Sequence, residues 1–310
     1  MTPDSKIYVA GHNGLVGSAL VRELQGGGYF NIVTRTSREL DLRDQAGVRD
    51  YFEQERPEYV FMAAGKVGGI LANDTYPVDF LRDNLQIQTS VIDSAYRSGV
   101  KKYLYLGSSC IYPRDCPQPI KEEYLLTSPL EKTNEWYAIA KISGVKMCQA
   151  YNRQYNFNAI SVMPANLYGP GDNFDLNSSH VLPALMRKLH EAKVTAAKEV
   201  IVWGTGKPKR EFLYVEDLAN ACLFLMQHYN EPDIINVGTG QDITIKELVE
   251  TIREIVGCKS IVRFDTSKPD GTPRKLLDVS KMTRAGWQYK TSLADGIRQT
   301  YSWYIVAGQN

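Results

Sequence analysis

Between Lys6 and Leu24 three signals follow one another without a gap. Lys6–Ala10 is a short apolar run. Gly11-His12-Asn13-Gly14-Leu15-Val16-Gly17 spaces three glycines as G-x-x-G-x-x-G. Leu15, Val16, Ala19, Leu20 and Leu24 then recur at helical spacing. The reading is strand, tight turn, helix. Glycine lets the main chain turn sharply and approach a bound group, and the helix start behind it offers free N–H groups to an anion. A glycine triplet alone says little. Set between the first strand and the first helix of an alternating chain, it points to a dinucleotide pyrophosphate cradle.

The alternation continues. Ile32–Thr34, Tyr59–Ala64, Lys102–Leu106 and Ala159–Met163 read as strands, and Ala46–Gln54, Asp79–Ser98 and Tyr137–Tyr155 as helices. Strands separated by helices of this length make βαβ units. After Pro164 the texture changes. Asn166–Asn177 and Thr266–Arg274 read as loops. Helices are expected at Val181–Ala192, Val215–Gln227 and Ile245–Val256, with strands at Glu199–Trp203 and Asp233–Val237. The expected fold is α/β: a Rossmann-type doubly wound parallel sheet with a smaller α/β C-terminal substrate-binding region. Residues 1–165 form the dinucleotide-binding part, segments near 211–238 return to it, and residues 166–310 are mainly the substrate region, interleaved with the first.

A net charge of +1 gives no general pull toward nucleic acid or an anionic membrane, so any anion site must be built locally. No apolar run approaches the roughly 20 residues of a membrane span, and the apolar stretch at residues 7–10 is too short for a secretion signal. Five cysteines, an odd number with no C-x-x-C spacing, argue against a disulfide framework or a zinc site and for reduced thiols in a cytoplasm. No metal is expected.

The end of the second strand discriminates between dinucleotides. An NAD site usually carries an acid there for the ribose 2′-hydroxyl. Here Thr34-Arg35-Thr36-Ser37-Arg38 has no acid before Glu39, and Arg35 and Arg38 can pair a 2′-phosphate, which favours NADP(H). Further on, Tyr137 and Lys141 stand at i and i+4 of a helix and share one face, where an ammonium favours the phenolate. Ser108, just past the strand Lys102–Leu106, places a hydroxyl at the carboxyl edge of the sheet, where ligands of such folds bind.

Glycine turn, strand-end Ser108 and Tyr137/Lys141, in that order, resemble the short-chain dehydrogenase/reductase superfamily. Pro164–Pro170 and Arg210–Asp217 are similar to its extended branch, which acts on nucleotide sugars. Lys66–Ile70, Gly107–Pro113, Asn177–Val181, Val202–Gly206 and Lys268–Lys275 resemble the GDP-L-fucose synthase family within that branch, and the resemblance spans the whole chain. It implies 3,5-epimerisation of GDP-4-keto-6-deoxy-D-mannose followed by NADPH-dependent reduction at C4, in a cytoplasmic homodimer. Asp79–Ser98 and Tyr137–Tyr155 are the candidate dimer helices. By this resemblance Cys110 and His180 are the epimerisation base and acid. Tyr137 and Ser108 polarise the C4 carbonyl, Tyr137 protonates its oxygen, and Lys141 tunes Tyr137 and binds the nicotinamide ribose.

The resemblance adds cofactor contacts at Asp41 and Leu42, at Leu106 and Gly107, at Pro164, Asn166 and Leu167, and at His180. Lys188, Arg210, Lys275 and Arg274 become candidates for the substrate diphosphate, Trp203 for the nucleotide and Asp270 for hydroxyl groups. The chain departs from the family pattern at Asn13 and Ser37, where arginines often stand, and at Lys188, a point charge in place of a bidentate fork. A 4,6-dehydratase would carry an acid just after the strand-end hydroxyl, where this chain has Ser109-Cys110. A 4-epimerase would carry an acid after strand two. A non-catalytic NADP(H) sensor would have no need of the Tyr137/Lys141 pair.

Overall fold

The computed structural model describes residues 1–176, 178–268 and 270–307. Asn177 and Pro269, in two of the blocks carrying the resemblance, and residues 308–310 lie outside the described residues. The strands are β1 (Ile7–Ala10), β2 (Ile32–Val33), β3 (Tyr59–Met62), β4 (Lys102–Leu106), β5 (Ala159–Pro164), β6 (Asn166–Tyr168), β7 (Glu199–Trp203), β8 (Lys209–Arg210), β9 (Phe212–Tyr214), β10 (Ile235–Val237), β11 (Ile243–Thr244), β12 (Ile261–Asp265) and β13 (Arg274–Lys275). The helices are α1 (Leu15–Gly26), α2 (Gln45–Glu55), α3 (Ile70–Thr75), α4 (Pro77–Arg97), α5 (Glu135–Tyr155), α6 (Val181–Val194), α7 (Val215–His228), α8 (Ile245–Val256), α9 (Ser280–Arg284) and α10 (Leu293–Ala307).

Six strands form one parallel sheet in the order β10-β5-β4-β3-β1-β2. Every residue of β1, β4 and β5 is buried, as expected for strands covered by helices on both faces. The chain leaves β1 toward β2 on one side and adds β3, β4, β5 and β10 on the other. That reversal opens a crevice at the carboxyl ends of β1 and β3, the place where doubly wound sheets bind ligands.

A second core lies outside this sheet. Leu182, Leu185, Met186 and Leu189 of α6 pack with Leu248, Val249 and Ile252 of α8 and with Val200 and Val202 of β7. β7 alternates exposed and buried residues, so only one of its faces is covered. Two regions read as loops hold short strands. Asn166–Tyr168 pairs in parallel with β9, and Arg274–Lys275 pairs with β8. In both, the strand partner is far off in sequence, so local composition carries no trace of it.

Candidate active site

The glycine turn sits in the crevice. Gly11 has φ +82°, and a Cβ there would lie 2.8 Å from the Ala64 backbone. A Cβ on Gly17 would lie 2.1 Å from the Gly11 oxygen. These glycines are therefore required by close packing as well as by conformation. Gly14 precedes α1, whose first turn holds no acid, and Gly14 and Asn13 are exposed. Leu15 and Val16 lean on the core, while His12 Nδ1 is buried with no partner among the described residues. An open helix start, a cradle without side chains and an orphaned polar atom together fit a dinucleotide phosphate.

At the end of β2, Arg35 is occupied. Its guanidinium lies 2.7 Å from Glu55 and 5.2 Å from the centroid of the Tyr51 ring. A half-exposed pair of this kind is worth about 1 kcal/mol or less, so a phosphate dianion can compete for it. Arg38 is exposed and unpaired among the described residues. Asp41 is bound to Arg43 at 2.8 Å, and Leu42 packs on the core. Glu39, the first acid after β2, accepts from the Thr36 amide and hydroxyl.

Ser108, Tyr137 and Lys141 are brought together by β4 and α5. Lys141, almost wholly buried, donates from Nζ to the Leu106 oxygen at 2.8 Å, which ties α5 to the end of β4. Its Nζ is 5.9 Å from the centroid of the Tyr137 ring. Gly107 follows, with no room for a Cβ against Met163. Ser108 then accepts the Cys110 amide at 3.1 Å, which turns the chain into a short 3-10 segment. Burial lowers the Lys141 pKa to about 8. Burial, then the neighbouring Cys110, push the Tyr137 phenol well above its ordinary value, and Ser108 acts in the opposite sense. Burial and Cys110 therefore outweigh the Ser108 bond, and the phenol keeps its proton at neutral pH. Pro164 closes β5, and Asn166 and Leu167 open β6, where Asn166 Nδ2 donates to the Glu211 oxygen at 2.7 Å.

Cys110 lies beside this set. Lys275 Nζ approaches its sulfur to 3.4 Å. β8 and β13 pair Arg210 with Lys275, side by side on neighbouring strands. Burial alone would raise the Cys110 pKa; the Lys275 charge, the Ser108 and Lys275 hydrogen bonds and Arg210 outweigh it, so the thiol is more acidic than usual. His180 stands at the N-cap position of α6. Desolvation, then the Lys275 charge, draw its imidazole below its ordinary pKa, although the residue lies exposed at the surface of the chain. The loop beneath it is fixed by the Gly69 amide, which donates to the Ser178 oxygen at 2.9 Å; a Cβ on Gly69 would strike Ser179.

The expected diphosphate cations divide. Arg210 and Lys275 flank Cys110, whereas Lys188 Nζ stands 5.5 Å from the centroid of the Trp203 ring and Arg274 pairs with Asp242. Trp203 is 58 % exposed, an open aromatic surface. Lys268, not singled out in the sequence, lies 5.6 Å from the same ring centroid. Asp270 accepts the Thr205 amide at 2.6 Å and its hydroxyl at 2.8 Å, so it first of all shapes the loop after β7. Glu211 was also missed as a working residue: it is buried, and only the fold reveals what it holds.

The NAD dependent epimerase/dehydratase family model matches residues 7–238. GDP-L-fucose synthase 1 of Arabidopsis thaliana is 61% identical over 301 residues, 97% of this chain and 93% of that protein. GDP-L-fucose synthase of Escherichia coli strain K12 is 50% identical over 309 residues, 97% of this chain and 96% of that one. Among solved structures, a GDP-L-fucose synthetase from Naegleria fowleri bound to NADP superposes with a TM-score of 0.93 at 31% identity, covering 100% of this chain and 97% of that chain.

Proposed function

The chain belongs to the NAD dependent epimerase/dehydratase family, and from that premise we propose that it converts GDP-4-keto-6-deoxy-D-mannose to GDP-L-fucose, by epimerisation at C3 and C5 and then reduction at C4 with NADPH. The observation that carries this reading is the acidified Cys110 thiol beside the Ser108/Tyr137/Lys141 set. A plain ketoreductase has no use for that thiol.

The C4 ketone acidifies the C–H bonds on either side of it. A Cys110 thiolate accepts such a proton, and the electron pair of the C–H bond moves into an enolate on the C4 oxygen. The hydroxyls of Ser108 and Tyr137 are the donors for that oxygen. His180 shares with Cys110 the removal and return of protons, so that each returns to the opposite face. NADPH, when bound, supplies the hydride for C4. The Gly11–Gly17 turn holds its pyrophosphate, with Arg38, and Arg35 once released from Glu55, on the 2′-phosphate. Tyr137 delivers its retained proton to the C4 oxygen, and the Lys141 ammonium stabilises the phenolate left behind. Lys188 and Trp203 take the nucleotide diphosphate end, with Arg210 and Lys275 near the sugar.

The same reading makes the chain a cytoplasmic homodimer. α4 and α5 are the pairing helices, with Val78, Trp136 and Tyr155 exposed along them. Incubation with GDP-4-keto-6-deoxy-D-mannose and NADPH tests the activity. GDP-L-fucose should form with one NADPH consumed per product. An unepimerised GDP-6-deoxy sugar, or no NADPH oxidation, would overturn the reading.

A further inference from the structure

Lys275 lies 165 residues from Cys110 in sequence, and two-residue β13 is a slight support for an ammonium that must sit against one sulfur. Main-chain bonds from Ile120 to Leu276 and Asp278 and the Gln118 oxygen on the Leu276 amide hold the stretch after it, and Glu211 adds the tie to the main sheet. The Glu211 side chain is 1 % exposed and has no cationic partner among the described residues. It is satisfied by main-chain N–H groups instead. Oε1 accepts the Thr239 amide at 2.6 Å and the Gly240 amide at 2.7 Å, just beyond β10. Oε2 accepts the Leu277 amide at 2.8 Å, two residues past Lys275. Gly238 is pressed so close that a Cβ there would lie 2.2 Å from Oε1. One carboxylate thus clips the segment carrying Lys275 to the edge of the main sheet. Glu211 also follows directly on Arg210, the second cation beside Cys110.

We propose that Glu211 is the positioning residue of the epimerisation corner: by holding Leu277 against the end of β10 it sets the Lys275 ammonium on the Cys110 sulfur. This rests on the reading of Cys110 as the base. The chemistry of the clip is specific to a carboxylate, because both oxygens must accept. In Glu211→Gln the amide oxygen can still serve Thr239 and Gly240, but the NH₂ then faces the Leu277 N–H, donor against donor. The sheet-edge half survives and the Leu277 tie is lost, which leaves Lys275 on β8, Ile120 and Gln118 alone and frees its ammonium to shift from the sulfur.

The test is the pH dependence of iodoacetamide alkylation at Cys110 in the folded protein without cofactor or substrate, followed by peptide mass spectrometry. The other four cysteines are buried. Wild type should alkylate with a midpoint below that of an ordinary thiol. Lys275→Met should slow alkylation at pH 7 on the order of tenfold, the effect of withdrawing one close cation. Glu211→Gln should move the midpoint in the same direction, and should add nothing further in a Lys275→Met background. A general loosening would instead add to the effect of Lys275→Met.

Glu211→Asp, too short by one methylene to span both sides, is the second variant. Wild-type protein gives a reading that needs no variant at residue 211: the Leu277 amide should exchange with D₂O as slowly as the amides of β4. Rapid exchange at Leu277, or a Glu211→Gln midpoint equal to wild type while Lys275→Met shifts, overturns the proposal alone. An ordinary thiol midpoint in wild type overturns the underlying reading of Cys110 as well.

Discussion

Around Tyr137 burial makes a proton harder to lose, whereas around Cys110 the cations brought in make one easier to lose. The first corner is built from β4 and α5, adjacent in sequence and locked by one bond from Lys141 to Leu106. The second gathers Cys110 from the end of β4, His180 from the start of α6, and Arg210 and Lys275 from paired short strands. The proposed acid and base thus differ in environment: desolvation holds the proton on the phenol, and nearby positive charge makes the thiol more acidic than usual. The same ammonium that acidifies Cys110 also discourages a charge on His180. One group therefore biases both residues proposed for epimerisation, and it does not figure among the influences on Tyr137.

If the corners are separate, damage to one should spare the other. The largest effect is expected from Tyr137→Phe, which removes only the hydroxyl. NADPH oxidation should fall about 10²–10⁴-fold, while deuterium from D₂O still enters C3 and C5 of the substrate, more slowly because Ser108 is then the one remaining donor to the enolate oxygen. Loss of both activities together in a folded variant would merge the two corners into one.

Arg38→Ala should come next. It should raise the KM for NADPH about tenfold with little change for NADH, the loss expected for one charge-assisted phosphate contact. Arg35→Ala should cost less, since Arg35 must first leave Glu55. Neither should alter proton exchange, so a matching fall in exchange would break the division. The smallest effect belongs to Lys188→Met. A half-buried cation near the Trp203 face is worth about 1 kcal/mol, roughly a fivefold rise in substrate KM, and it should appear equally in both activities because both use the same bound sugar nucleotide. Unequal rises would mean that Lys188 belongs to one corner.

The two corners were not equally legible in the sequence. Ser108, Tyr137 and Lys141 announce themselves because a strand end and an i, i+4 helix spacing are local patterns. The glycine turn is legible for the same reason, and Gly11 and Gly17 indeed have no space for a side chain. The sequence named Cys110, His180, Arg210 and Lys275 only through a resemblance, and it placed the last two at a diphosphate rather than at the thiol. Nothing periodic links β8 to β13, so the register that sets Arg210 beside Lys275 appears only in the fold. Arg35 is a similar case. Its position after β2 was plain, but its partner Glu55 closes a helix whose approach to β2 no local pattern encodes. Glu211 was hidden most completely, since a buried carboxylate served by backbone amides has no sequence signature.

On this reading proton exchange belongs to Cys110 and hydride transfer to Tyr137. That division is tested most directly with Cys110→Ser, incubated in D₂O with substrate and oxidised cofactor, then separately with NADPH. The hydroxyl keeps the size and polarity of the thiol but is far too weak an acid to ionise, even beside Lys275. The account predicts little or no deuterium at C3 and C5, with hydride still transferred to give a GDP-6-deoxy sugar that has not been epimerised. Deuterium entering at the wild-type rate, with GDP-L-fucose as the product, would contradict it.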